Sequence, residues 1–246
     1  MVKRGAIAIL VPLSLATTVL AAPAAETQLP HQSPINITRE NVRVDPNLPQ
    51  LRISYRTTDV ELEYIRKDQT DPAGCATRNH EETEEGIVPA GAGYVTLSGT
   101  RYDLIQFHFH TPSEHRFEGQ STPLELHLVH RSAAGRLLVI GVPLIPGPRS
   151  AVDKVLAKLA PECGESVHLP KVDLNELLPP DRRTVARYDG SLTTAPFSED
   201  VQWFLTGPKT VSPGTVARFQ SLFTSGNARE VQPLNGRVVE LDRPRY

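Results

Sequence analysis

Two short segments hold the residues best suited to chemistry. The first is Gln106-Phe-His-Phe-His-Thr-Pro-Ser-Glu-His115; the second is Glu125-Leu-His-Leu-Val-His130. On a strand, side chains alternate between faces, so His108 and His110 share one face and Phe107 and Phe109 the other. In the second segment Glu125, His127 and Val129 share a face, opposite Leu124, Leu126 and Leu128. If the two strands are neighbours, His108, His110 and His127 aim at one point with carboxylates close by. A lone histidine on an apolar strand is more often structural. Three with this spacing match the needs of a catalytic zinc, which takes three protein ligands and keeps a fourth position open.

Elements to position them are legible along the chain. Strand-like runs lie at Leu51–Tyr55, Val60–Tyr64, Tyr94–Leu97, Leu104–His110, Leu124–His130, Leu137–Leu144, Gln202–Leu205 and Arg237–Leu241. Helical spacing appears at Ala151–Leu159. A second helix is expected at Pro213–Phe223, with proline at its start and a stop near Gly226. Gln32–Ile37 reads as a compact turn-like opening. Residues 67–86 are polar, and Glu81-Glu-Thr-Glu-Glu85 reads most simply as a solvated face on a surface loop. The expectation is one mixed, strand-dominated domain.

Composition agrees. The chain has 246 residues with 39% hydrophobic content, enough for a sizeable core. Its 22 prolines and 16 glycines favour a turn-rich, stranded fold over a helical bundle. A net charge of −2 gives no electrostatic reason to expect nucleic acid as a partner.

Lys3 and Arg4 precede an apolar run from Ala6 to Leu20, with small residues at Ala21 and Ala22-Pro-Ala24. This reads as a signal peptide over residues 1–21, cleaved between 21 and 25, leaving a domain over 26–246 without a stable membrane anchor. The competing reading, a retained anchor, is opposed by the short run and by Pro12. Export puts Cys75 and Cys163, the two cysteines of the chain, in an oxidising compartment. There a disulfide is favoured over two free thiols or zinc ligation.

Six stretches in order resemble the α-class carbonic anhydrases of exported, bacterial-like type. They are Gln32-Ser-Pro-Ile-Asn-Ile37, Gln106–Glu114, Glu125–His130, Tyr188-Asp-Gly-Ser-Leu-Thr-Thr194, Val201-Gln-Trp203 and Gln232-Pro-Leu-Asn-Gly-Arg237. The resemblance implies a central, twisted, mostly antiparallel β-sheet with a few short peripheral helices and zinc at the bottom of a cleft. It implies reversible hydration of carbon dioxide to bicarbonate and a proton.

By that resemblance His108, His110 and His127 are the zinc ligands, with Gln106 and Glu125 orienting imidazoles. Zinc brings the pKa of its water to about 7, a value for which carbonic anhydrase is itself the reference case. Glu114 would accept the Thr193 hydroxyl proton, so that Thr193 accepts from and aligns the attacking oxygen. Thr194 would help position bicarbonate. Val129, Val139, Leu192 and Trp203 match an apolar wall for carbon dioxide, although the same pattern also fits plain core. His115 and His130 are read as structural.

The rim departs from the family. An Asn-Gly-His segment is not recognisable, and His80 is either the proton shuttle or an exposed loop histidine. The segment before Gln32 is short, and the family's usual cysteine pair is absent. The resemblance brings the regions of Cys75 and Cys163 together at the rim, where they are expected to pair. Such a bridge would stabilise by about 4 kcal/mol in the loop-entropy view. Two other function classes stand beside the zinc enzyme. A non-catalytic carbonic anhydrase-like binding module would typically lack a zinc histidine. A zinc hydrolase could cleave activated esters as a side reaction.

Overall fold

The computed structural model describes residues 30–65, 82–161, 165–181 and 184–241. The first strands are β1 (Asn36–Ile37), β2 (Val42–Val44), β3 (Arg52–Tyr55), β4 (Thr57–Ile65) and β5 (Thr83–Ile87). Then come β6 (Gly93–Leu97), β7 (Thr100–His110), β8 (Arg116–Phe117), β9 (Leu124–Ser132) and β10 (Leu137–Pro146). After helix α1 (Ala151–Val155) follow β11 (Val167–Asp173), β12 (Thr184–Gly190), β13 (Val201–Thr206) and β14 (Lys209–Val211). Helix α2 (Pro213–Leu222) and β15 (Val239–Leu241) complete the order.

One sheet of 13 strands dominates, ordered β11-β4-β5-β7-β9-β10-β13-β12-β15-β2, with β3 and β6 attached at β7 and β14 at β10. Pairing is mostly antiparallel, as the resemblance implied. The exceptions in this sheet are β10 with β13, β10 with β14, and β15 with β2. The small β1–β8 ladder is parallel too.

Alternation along the central strands decides which face packs where. Phe107, Phe109, Leu124, Leu126 and Leu128 are fully buried in the larger core. Each such side chain contributes roughly 1.5–3 kcal/mol on leaving water. The opposite face carries a second core around Ile35, Val129, Val139, Tyr188 and Trp203. The candidate histidines therefore project from the middle of the sheet, from strands held on both sides. Gly86 lets β5 pass over this region: a Cβ there would sit 2.3 Å from the Phe107 ring.

The structure corrects several expectations. The acidic run does not form a solvated face: Glu82, Thr83 and Glu84 are buried, and Thr83–Ile87 is a strand between β4 and β7. Specific donors make this possible. Tyr64 OH donates to Glu82 (2.5 Å) and the Ala160 amide to Glu84 (3.0 Å). Strands β11, β12 and β14 were not expected as such. The first contains Pro170 and the second ends in the Asp189-Gly190 turn signal, which obscured both.

Helix α1 is shorter than its spacing implied. Ser150 and Asp153 form a capping box at its start. The helix stops at Leu156, whose carbonyl accepts from Arg218 Nε (3.1 Å), ahead of Pro161. Cys75, Cys163, His80 and the leader lie outside the described residues. Within those residues no helix is long and apolar enough to cross a membrane.

Candidate active site

Register brings the three histidines together. On β7 and β9, His108 pairs directly with His127, and His110 with Glu125. One ligand-capable nitrogen from each of His108, His110 and His127 lies within 4.8 Å of the others. Their second nitrogens are each held by an oxygen acceptor. Gln106 Oε1 is 2.8 Å from His108 Nδ1. The Asn227 carbonyl is 3.0 Å from His110 Nδ1. Glu125 Oε1 is 3.0 Å from His127 Nε2.

These acceptors fix the tautomers. The N–H of each ring faces its acceptor, which leaves lone pairs on His108 Nε2, His110 Nε2 and His127 Nδ1. Nε2 of His108 and Nδ1 of His127 face each other at 3.3 Å. Two lone pairs at that separation repel unless a cation lies between them. The donor set fits zinc, which accepts three imidazoles and an open fourth position. Burial lowers the His127 pKa against the opposing pull of Glu125, which favours the neutral imidazole that a metal requires.

A buried chain of polar groups stands behind His127. Glu125 Oε1 is 2.7 Å from His115 Nδ1, and Oε2 accepts the His115 backbone N–H at 2.9 Å. His115 Nε2 lies 2.7 Å from the Tyr188 hydroxyl, which donates to Ser33 Oγ at 2.8 Å. Burial would raise the Glu125 pKa, but His115 and His127 outweigh it and hold the carboxyl well below its ordinary value. Gly141, opposite His127 on β10, makes room for this carboxylate. A Cβ there would meet Leu205 at 2.5 Å and Glu125 Oε1 at 3.0 Å.

Glu114 behaves differently. Burial pushes its pKa up to about 7, against lowering by His127, the Arg229 amide and Thr193. Its Oε1 accepts from Arg229 N at 2.9 Å. Its Oε2 is buried without a hydrogen bond. The Thr193 hydroxyl lies close enough to the carboxyl for its hydrogen bonding to contribute to that lowering. Two carboxyls in one site, with environments that drive their pKa values apart, are equipped for different tasks.

Beside the imidazoles lies a cavity of about 250 Å³. Val129, Val139, Leu192 and Trp203 supply apolar wall, and Thr193 and Thr194 supply hydroxyls. Thr193 and Thr194 sit in the loop after β12, anchored where Trp203 Nε1 donates to Ser191 O (2.9 Å). Thr83, Glu85 and Arg131 also line the cavity and were not anticipated. His130 lies on the other face, 2.6 Å from Tyr55 OH. Asn227, whose carbonyl holds His110, was not anticipated either; an isolated asparagine in a loop carries no local signal.

Comparison with known proteins adds to this geometry. A family model described as eukaryotic-type carbonic anhydrase matches residues 21–243. The carbonic anhydrase of Nostoc sp. is 31% identical over 211 residues, covering 80% of this chain and 79% of that one. That of Neisseria gonorrhoeae is 33% identical over 213 residues, covering 85% and 76%. The α-carbonic anhydrase of Thermovibrio ammonificans, solved with the inhibitor sulfanilamide, superposes with a TM-score of 0.74. It is 33% identical and the match covers 85% of this chain and 86% of that one.

Proposed function

The chain belongs to the eukaryotic-type, or α-class, carbonic anhydrase family of lyases that interconvert carbon dioxide and bicarbonate, and from that premise we propose that it does so with zinc held by His108, His110 and His127. The observation that carries the proposal is the convergence of three imidazole nitrogens within 4.8 Å, each ring tied at its other nitrogen to an acceptor. Bound zinc supplies Lewis-acid activation of water at neutral pH, the effect for which carbonic anhydrase is the reference case.

The protein's own residues do the rest. Gln106, the Asn227 carbonyl and Glu125 keep the three rings neutral and aimed. Glu114, taking the Thr193 hydroxyl proton as a hydrogen bond, leaves Thr193 only its lone pairs to offer. Thr193 then orients the attacking oxygen by accepting from it, which is catalysis by alignment. Val129, Val139, Leu192 and Trp203 form an apolar seat for carbon dioxide, and Thr194 helps to position bicarbonate. His80 is the proposed proton carrier at the rim. Export by a leader over residues 1–21, and a Cys75–Cys163 disulfide, complete the proposal.

Stopped-flow hydration before and after chelation tests it. Activity should vanish with the metal and return with one equivalent of zinc. Full hydration by metal-free protein would overturn the reading. Buffer dependence of the rate tests His80: with His80→Ala, turnover at low buffer should fall and be restored by added imidazole.

A further inference from the structure

The Gln32-Ser-Pro segment lies far in sequence from every residue assigned above, and no step of the proposed chemistry uses Gln32. We propose that Gln32 is a positioning residue for the Thr193–Glu114 pair, holding both members from one buried point. The inference rests on the roles proposed for Thr193 and Glu114.

Gln32 is 7% exposed and uses both ends of its amide. Its Nε2 donates to the Phe197 carbonyl (3.1 Å) and to Glu199 Oε1 (3.1 Å). Its Oε1 accepts from Arg229 Nη1 at 3.0 Å. One arm therefore reaches the loop that carries Thr193, and the other reaches Arg229.

The loop arm leads to Thr193 in few steps. Phe197 N donates to Thr194 O and Leu192 N to Ser198 O, both at 2.9 Å, so residues 192–198 close on themselves around Thr193. Phe197 has φ 58°, a left-handed conformation that a bulky L residue keeps only when its surroundings hold it. Gln32 holds its carbonyl. The Arg229 guanidinium lies over its ring at 3.9 Å.

The second arm leads to Glu114. Arg229 donates its backbone N–H to Glu114 Oε1 at 2.9 Å, and its Nη1 also donates to Ser33 O at 2.6 Å. A shift of Arg229 would move the carboxyl, and a shift of Phe197 would move the threonine loop. Gln32 touches both. An amide is suited to this point because it donates at one end and accepts at the other; a carboxylate only accepts.

A stitch that merely stabilised the fold would lower the melting temperature and leave the chemistry alone. A positioning residue must act through Thr193, which a double-mutant cycle detects. Gln32→Ala, Thr193→Ala and the double variant are compared for kcat/KM of carbon dioxide hydration and for zinc content. Gln32→Ala should lose about tenfold in kcat/KM with zinc unchanged, since small displacements of aligned groups are costly. In the Thr193→Ala background the same change should cost less than twofold. An equal loss in both backgrounds, no loss in either, or loss of zinc would overturn the inference. Full activity of Thr193→Ala by itself would instead remove the proposed role of Thr193, and this inference with it. Should Gln32→Ala fail to fold, Gln32→Glu serves in the same cycle. It keeps the volume and the acceptor for Arg229 but removes the donor to Phe197.

Discussion

His115 and His127 meet at a single atom. Both imidazoles lie within hydrogen-bond distance of Glu125 Oε1, at 2.7 and 3.0 Å. One carboxylate therefore fixes a ring that faces the candidate metal position and a ring that does not. In Glu125→Gln, one end of the side chain becomes a donor, so either these two contacts or the one that Oε2 accepts from the His115 backbone N–H is lost. Zinc affinity should fall about 10- to 100-fold, the usual effect of removing such a partner. Competition with a chromophoric chelator measures it; unchanged affinity would show that His127 needs no such support.

Removing a group that only aligns should separate activity from metal. Glu114→Gln and Thr193→Ala are each expected to lower kcat/KM about a hundredfold, the scale of lost alignment in a reacting pair. Zinc content by mass spectrometry should stay at one per chain. His110→Ala should lose both activity and metal. Combining Glu114→Gln with Thr193→Ala should cost little beyond either alone if the two act as the proposed unit.

A third expectation concerns acid. Burial lowers the His130 pKa to about 4, with backbone carbonyls only partly offsetting it. The unfolded chain takes up this proton near pH 6.5, before the folded one does. Stability is therefore fully present above pH 6.5 and drains away as pH falls toward 4. The loss amounts to about 3 kcal/mol at most from this residue. Urea unfolding at pH 7, 5.5 and 4.5 follows it, and in His130→Gln the slope over that window should flatten. A slope unchanged by the substitution would mean that His130 does not charge on unfolding.

Glu84 acts in the opposite sense. Burial raises its pKa to about 8, against a smaller lowering by the Ala160 amide, and its Oε1 makes no hydrogen bond. The unfolded chain releases this proton near pH 4.5 while the folded one retains it. Stability is then greatest below pH 4.5 and falls as pH rises through 8. Glu84→Gln keeps the shape without the charge and should stabilise by about 2 kcal/mol at pH 8, the scale of an unpaired buried polar group. Little difference is expected at pH 4.5. Urea midpoints of the two proteins at these pH values decide the matter.

The contrast between β7 and β5 explains how far the sequence could be read. In β7, histidines alternate with phenylalanines, and alternation is the pattern that a half-buried strand imposes. The strands that carry the candidate ligands were legible for that reason. At β5 the carboxylates of Glu82, just before the strand, and Glu84 look like solvated charge; their donors, Tyr64 and Ala160, come from other parts of the chain. Asn227 was invisible for the same reason: it lies 117 positions from the His110 it holds. The Thr193 loop was legible only through resemblance, since Ser-Leu-Thr-Thr by itself reads as strand. Gly141 was the one missed feature with a local sign. An isolated glycine within Leu137–Leu144 marks a strand that something approaches closely.

That glycine bears on how the site can change. The volume beside Gly141 is already shared by Leu205 and the Glu125 oxygen, and a single methyl group would contend with both. Leu205 belongs to the apolar packing and Glu125 to the polar network behind His127, so an alanine here would set hydrophobic fit against electrostatics at one spot. Position 141 is in this sense a fixed boundary behind His127, with no slack to exchange.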